Sequence, residues 1–75
     1  MPVVSVRLCE GAFTLEQHQA LIRDITDAFV RMGGEGIRPS VTVIVDEVAD
    51  GRWGTGGEIL DLEKISARRR DRQKS

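Results

Sequence analysis

Val41-Thr42-Val43-Ile44-Val45 is an unbroken run of β-branched side chains, the composition that favours an extended strand. Pro39 stands just ahead and bars helix at residue 38, which gives the strand a clean start. The near-continuous apolar character predicts burial on both faces. Working back, Thr14 opens a helix, with Gln17 three residues on to complete a capping box. His18, Leu21, Ile22, Ile25, Phe29 and Met32 recur at spacings of three and four and form one apolar stripe. Arg23, Asp24, Asp27 and Arg31 fall on the wet side, and Gly33-Gly34 ends the helix. Further back, Pro2-Val3-Val4-Ser5-Val6-Arg7-Leu8-Cys9 reads as a first strand, closed by Glu10-Gly11. Val4, Val6 and Leu8 share one face of it, Ser5 and Arg7 the other. Strand, long helix, strand is a β-α-β unit, so the fold class is α/β with parallel strands and a right-handed crossover.

Such a unit is incomplete. One helix covers one sheet face, and a two-stranded sheet is not stable alone. A chain of 75 residues buries only about 60% of its unfolded surface, and small scaffolds are usually held by disulfides, metals or partner subunits. One cysteine, Cys9, makes no internal disulfide, and one histidine, His18, builds no Cys/His metal site. The open face and edges are therefore expected to meet further copies of the chain or a sister subunit.

Hydrophobic content of 40% and charged content of 31% fit a soluble globular chain. No apolar run approaches the roughly 20 residues of a membrane span, and no basic-then-apolar leader precedes the first strand. The expected setting is the cytoplasm, where a free thiol persists. The net charge of -1 hides an asymmetry. Arg68, Arg69, Arg70, Arg72 and Lys74 stand against Asp71 alone, whereas residues 1–67 set six basic side chains against eleven acidic ones. An acidic body excludes a nucleic-acid face within the fold. Residues 1–67 are read as the domain and 68–75 as a basic C-terminal tail, solvated and flexible.

Gly51-Arg52-Trp53-Gly54-Thr55-Gly56-Gly57 surrounds the single tryptophan. Its spacing fits neither the dinucleotide fingerprint nor the P-loop, so a short C-terminal hairpin is expected. Residues 58–67 are read as a short helix or an extended arm. Cys9 and His18 are read first as packed side chains, and the acidic pairs Asp46-Glu47 and Asp61/Glu63 as solvated. Pro2 is the exception. Initiator methionine is normally removed before proline, which leaves a secondary amine at the head of a buried strand. An α-amine titrates near 7.7–8.0 in water, and an apolar setting lowers that value. The product is a neutral base near pH 7, suited to taking a proton next to a carbonyl.

Pro2-Val3-Val4, Leu8-Cys9-Glu10-Gly11, Glu16-Gln17, Leu21-Ile22-Arg23-Asp24, Val41 to Glu47 and Gly51 to Glu58 together resemble 4-oxalocrotonate tautomerase and its relatives. The match runs from Pro2 to about Leu60, with about one residue inserted between Gly11 and Glu16. The resemblance implies a hexamer, a trimer of dimers with pockets between subunits and no cofactor or metal. It implies that Pro2 moves a proton on a small keto or enol acid and that Trp53 walls the pocket. The family carries an arginine just after Glu-Gly and another in the second strand; here those positions hold Ala12 and Thr42. Such arginines grip carboxylates, so the standard dicarboxylate is not the expected substrate. Arg52, and after it Arg38 or the tail arginines, are the candidate replacements; Cys9 and Thr42 complete the candidate binding set.

Three readings follow. The first is a proline-based tautomerase with an altered substrate. The second is a catalytically weak subunit of a mixed hexamer, completed by a sister chain. The third is a hydratase, dehalogenase or decarboxylase using the same pocket.

Overall fold

Thr14 starts the long helix through its own side chain. In the computed structural model its hydroxyl oxygen accepts the Gln17 backbone N–H at 3.1 Å, and the Gln17 side-chain oxygen accepts the Thr14 N–H at 2.8 Å. The pair satisfies two of the N–H groups that a helix end leaves without partners. Helix α1 (Leu15–Gly33) follows and ends where the Gly34 N–H reaches the Val30 carbonyl at 2.7 Å. The structure describes residues 1–74, with side chains as far as Asp71. The tail charges of Arg72 and Lys74 thus fall outside the described side chains. Thr14→Ala is expected to cost about 1 kcal/mol, a fall of about 4–8 °C in Tm for a chain this size. Thermal unfolding by circular dichroism reads it, and an unchanged Tm would remove the cap from the stability of α1.

Strands β1 (Val3–Cys9) and β2 (Thr42–Val48) flank the helix and pair with each other. The Thr42 N–H donates to the Pro2 carbonyl at 3.0 Å, and the Glu10 N–H donates to the Val48 carbonyl at 2.8 Å. Start meets start and end meets end, so the strands are parallel, as the β-α-β reading requires. A 3-10 segment, Glu35–Ser40, joins α1 to β2. It holds the Val41 N–H on the Arg38 carbonyl at 3.3 Å, so β2 starts one residue later than its composition indicates and runs on to Val48.

The chain forms two compact units, Met1–Arg7 with Thr14–Asp46, and Leu8–Phe13 with the residues from Glu47 onward. Within the first, Val4, Val6, Val43 and Val45 are half-buried while Val3, Ser5, Arg7, Thr42, Ile44 and Asp46 are exposed. The expectation that β2 is buried on both faces is corrected here. A single helix covers a single face, so Val3 stays 64% and Ile44 44% exposed. The helical stripe also ends early: Met32 is 85% exposed and Val30 is buried in its stead. His18 is buried, as the stripe implies.

In the second unit, β3 (Trp53–Thr55) and β4 (Glu58–Leu60) pair antiparallel, with Trp53 opposite Leu60 and Thr55 opposite Glu58. Gly56 and Gly57 make the two-residue turn between them, at φ of +61° and +81°. Successive positive φ values are what this hairpin turn demands, and glycine adopts them without strain. Helix α2 (Leu62–Lys74) comes next. Its first N–H groups are capped twice, Leu62 by Asp50 Oδ1 and Lys64 by Asp61 Oδ1, each at 2.8 Å. The helix passes residues 67 and 68 without a break.

Candidate active site

Pro2 has no backbone N–H to give within a chain, so it joins the sheet through its carbonyl alone. That carbonyl takes the Thr42 N–H at 3.0 Å and places Pro2, half-buried, at the head of β1 beside the first residue of β2. Pro2 and Thr42 are therefore brought together. The Thr42 side chain is exposed and carries no charge.

Cys9 closes β1 at the end opposite Pro2. It is half-buried with a free thiol, and its carbonyl accepts the Ala12 N–H at 3.0 Å. The loop that follows is held by backbone and carboxylates. The Gly11 N–H donates to Glu47 Oε2 at 3.0 Å, and Glu10 Oε1 accepts the Asp50 N–H at 3.4 Å. Ala12 is buried, 8% exposed, and presents only a methyl group. Trp53 is half-buried at the start of the hairpin. Arg52 precedes it, exposed, with its N–H on the Ala49 carbonyl at 3.1 Å.

Of the other candidate cations, Arg38 is already committed. Its Nε and Nη2 donate to the two Glu35 carboxylate oxygens at 2.9 and 3.2 Å, and Nη1 donates to Asp27 Oδ1 at 2.8 Å. The hydrogen bonds from Arg38, and then its charge, hold the Glu35 carboxyl below its ordinary value. The same bonds, from Glu35 first and Asp27 second, hold the Arg38 guanidinium charged still more firmly. Arg68 lies 3.8 Å from Glu58.

One feature lay outside the reading of residues 68–75 as a tail. The Arg69 guanidinium carbon sits 4.4 Å from the centroid of the Phe13 ring. The signal available in the sequence was the spacing of Leu62, Ile65, Ser66 and Arg69, which puts them on one helical face. What that face meets, 56 residues back along the chain, has no local signature.

Residues 2–62 match the family model described as tautomerase enzyme. The chain belongs to the tautomerase family. Among its relatives is the probable tautomerase K2 of Dickeya dadantii, 41% identical over 68 residues, which span 89% of this chain and 98% of that one. A 2-hydroxymuconate tautomerase of Pseudomonas putida is 37% identical over 59 residues, 79% of this chain and 90% of its own. Among solved structures, DmpI from Helicobacter pylori matches with a TM-score of 0.66 at 35% identity, covering 77% of this chain and 94% of that one. This tautomerase is an enzyme of the isomerase class, and the resemblance read from its motifs is correct. No helix among its described residues is long and apolar enough to cross a membrane.

Proposed function

We propose that Pro2, as the N-terminal residue of the mature chain, is the general base that moves a proton between carbon and oxygen of a small keto or enol acid. The supporting observation is its placement. It is half-buried at the head of β1, with its carbonyl held by the Thr42 N–H, which fixes where the residue stands in the sheet. In a pocket formed between subunits, Trp53 is the wall and Arg52 beside it the partner of the substrate's carboxylate; Thr42 stands beside Pro2 within the chain, whereas Cys9, at the other end of β1, joins such a pocket only from another subunit. The preferred substrate is a monoacid, because Ala12 and Thr42 carry no cation. The enzyme is cytoplasmic and needs no cofactor, and because α2 runs on through residue 68 the domain extends past residue 67. Intact mass is the first test, because only loss of one methionine creates the base. Ketonisation of phenylenolpyruvate by that mature form is the second, and an inactive mature protein removes the reading.

The working form is a hexamer, a trimer of dimers with pockets between subunits. The exposed apolar side chains of the sheet, Val3 at 64% and Ile44 at 44%, support it, since three or more strands are usually needed for a stable sheet. Light scattering is expected to give six times 8.3 kDa, about 50 kDa, and Ile44→Asp is expected to give smaller species. A folded wild-type monomer at micromolar concentration would sink the assembly. A hexamer that forms only on adding a second protein favours the mixed-subunit reading, which the neutral Ala12 and Thr42 also support.

A further inference from the structure

The β3–β4 hairpin carries Trp53 at its root, with Arg52 one residue ahead of it. A two-stranded ribbon is marginal by itself in water. Four of the seven residues from Gly51 to Gly57 are glycine, which leaves few side chains to hold it in place. In an antiparallel pair closed by a two-residue turn, the pair flanking the turn exchanges its hydrogen bonds, and the next pair points its backbone groups outward. Thr55 and Glu58 flank the Gly56-Gly57 turn, so Gly54 and Ile59 are that next pair. The Ile59 carbonyl thus faces away from β3, on the open edge of β4. Lys64, in the first turn of α2, donates its Nζ to that carbonyl at 2.8 Å.

Further contacts tie the same helix to both ends of the hairpin. Asp50, two residues ahead of Arg52, accepts the Leu62 N–H on Oδ1 at 2.8 Å and so joins the start of α2 to the chain entering β3. The Asp50 N–H in turn reaches Glu10 Oε1 at 3.4 Å. Glu58, beside the turn, lies 3.8 Å from Arg68 and 4.0 Å from Lys64. All of these residues belong to one compact unit. Exposed ion pairs contribute little by themselves, which leaves the short Lys64–Ile59 bond as the main tie on the open edge. Ile59 adjoins Leu60, the cross-strand partner of Trp53. A shift of β4 at Ile59 therefore reaches Trp53 through a single residue.

We propose that Lys64 is a positioning residue of this enzyme: from α2 it holds the open edge of β4 and thereby fixes Trp53 as the wall of the substrate pocket. This rests on the reading of Trp53 as that wall, whereas the bracing itself is tested without turnover. Trp53 is the only tryptophan, so its fluorescence reports on the hairpin alone. Lys64→Met keeps an unbranched stem and a good helix former but removes the ammonium. Lys64→Arg restores a cationic donor. In the mature oligomer, Lys64→Met is expected to make Trp53 more open to acrylamide quenching. It is also expected to raise KM for phenylenolpyruvate by about 3- to 10-fold, the range of one hydrogen bond. The change in kcat is expected to stay within about two-fold, because a wall meets ground state and transition state alike. Lys64→Arg is expected to return both readings toward wild type. Circular dichroism and light scattering separate a loosened hairpin from a lost fold or assembly, and Lys64→Gln, with a shorter and neutral arm, carries the test if Lys64→Met does not assemble. Quenching of Trp53 unchanged in Lys64→Met, or a change that Lys64→Arg does not reverse, would overturn the assignment. If quenching rises and Lys64→Arg reverses it while KM stays at the wild-type value, the brace stands and the reading of Trp53 as the pocket wall fails. If the mature wild type converts no keto acid, the Pro2 reading fails and the quenching of Trp53 still judges the brace.

Discussion

Blocking the nitrogen of Pro2 is expected to lower turnover of a phenyl-substituted or short α-keto acid by about 10²- to 10⁴-fold, the usual contribution of general-base catalysis. Two variants ask the question differently. A chain that retains Met1 has an amide nitrogen at Pro2, with no basic lone pair, and is expected at the large end of the range. Pro2→Ala leaves a primary amine without the ring that fixes its direction, and is expected at the smaller end. Neither change touches the hydrogen bond that joins the two strands at this point, because the Pro2 carbonyl accepts the Thr42 N–H through the backbone. Circular dichroism and light scattering are therefore expected to match the mature wild type. The pH profile gives an independent reading. A base works in its neutral form, so the rate rises with pH through the amine's pKa and then levels off. Equal rates for mature and Met1-retaining protein would take Pro2 out of the mechanism.

The parts of this enzyme that were legible in its sequence are those whose cause is local. Thr14 and Gln17 announce a capping box three residues apart, and both hydrogen bonds are present. Gly56-Gly57 announces a two-residue turn, and both residues take the positive φ it needs. The alternation of Val4 and Val6 with Ser5 and Arg7 carries straight into the strand's covered and open faces. Contacts distant in sequence were not legible. Nothing near Asp27 shows that Arg38, eleven residues on, will take its carboxylate. Nothing near Gly11 shows that Glu47 will accept its N–H from 36 residues away.

Composition misled where it was asked about quaternary burial. The run from Val41 to Val45 looks fit for burial on both sides, yet within one chain Ile44 is exposed. The residue composition and the exposed face agree once further subunits cover the sheet, so the disagreement between them is itself an argument for assembly. Met32 is a plainer miss. It keeps the helical period, but it stands in the last turn of α1, where the side chain is 85% exposed.

Substrate choice is expected to follow from two neutral positions, Ala12 and Thr42. A dicarboxylate presents charge at both ends, and each charge-assisted contact contributes about 1.5–3 kcal/mol. Two such contacts amount to about 10²- to 10⁴-fold in kcat/KM, and 2-hydroxymuconate is expected to fall short by that much of a subunit bearing arginine at both positions. The two sites differ in how they accept repair. Ala12 is 8% exposed, so an arginine there would have to bury its charge or displace the loop. Thr42 is exposed, and its only assigned contact is made by the backbone, so Thr42→Arg adds a cation without removing a hydrogen bond. Thr42→Arg is therefore expected to raise kcat/KM for 2-hydroxymuconate by about 10- to 100-fold, with monoacid turnover within a few-fold of wild type. Arg52→Ala does the reverse, and is expected to weaken turnover of both acids through the carboxylate next to the reacting carbon, with the assembly state unchanged by light scattering. Rapid 2-hydroxymuconate turnover by the wild-type chain alone, unchanged in Arg52→Ala and no faster in Thr42→Arg, would defeat the account of specificity by missing cations.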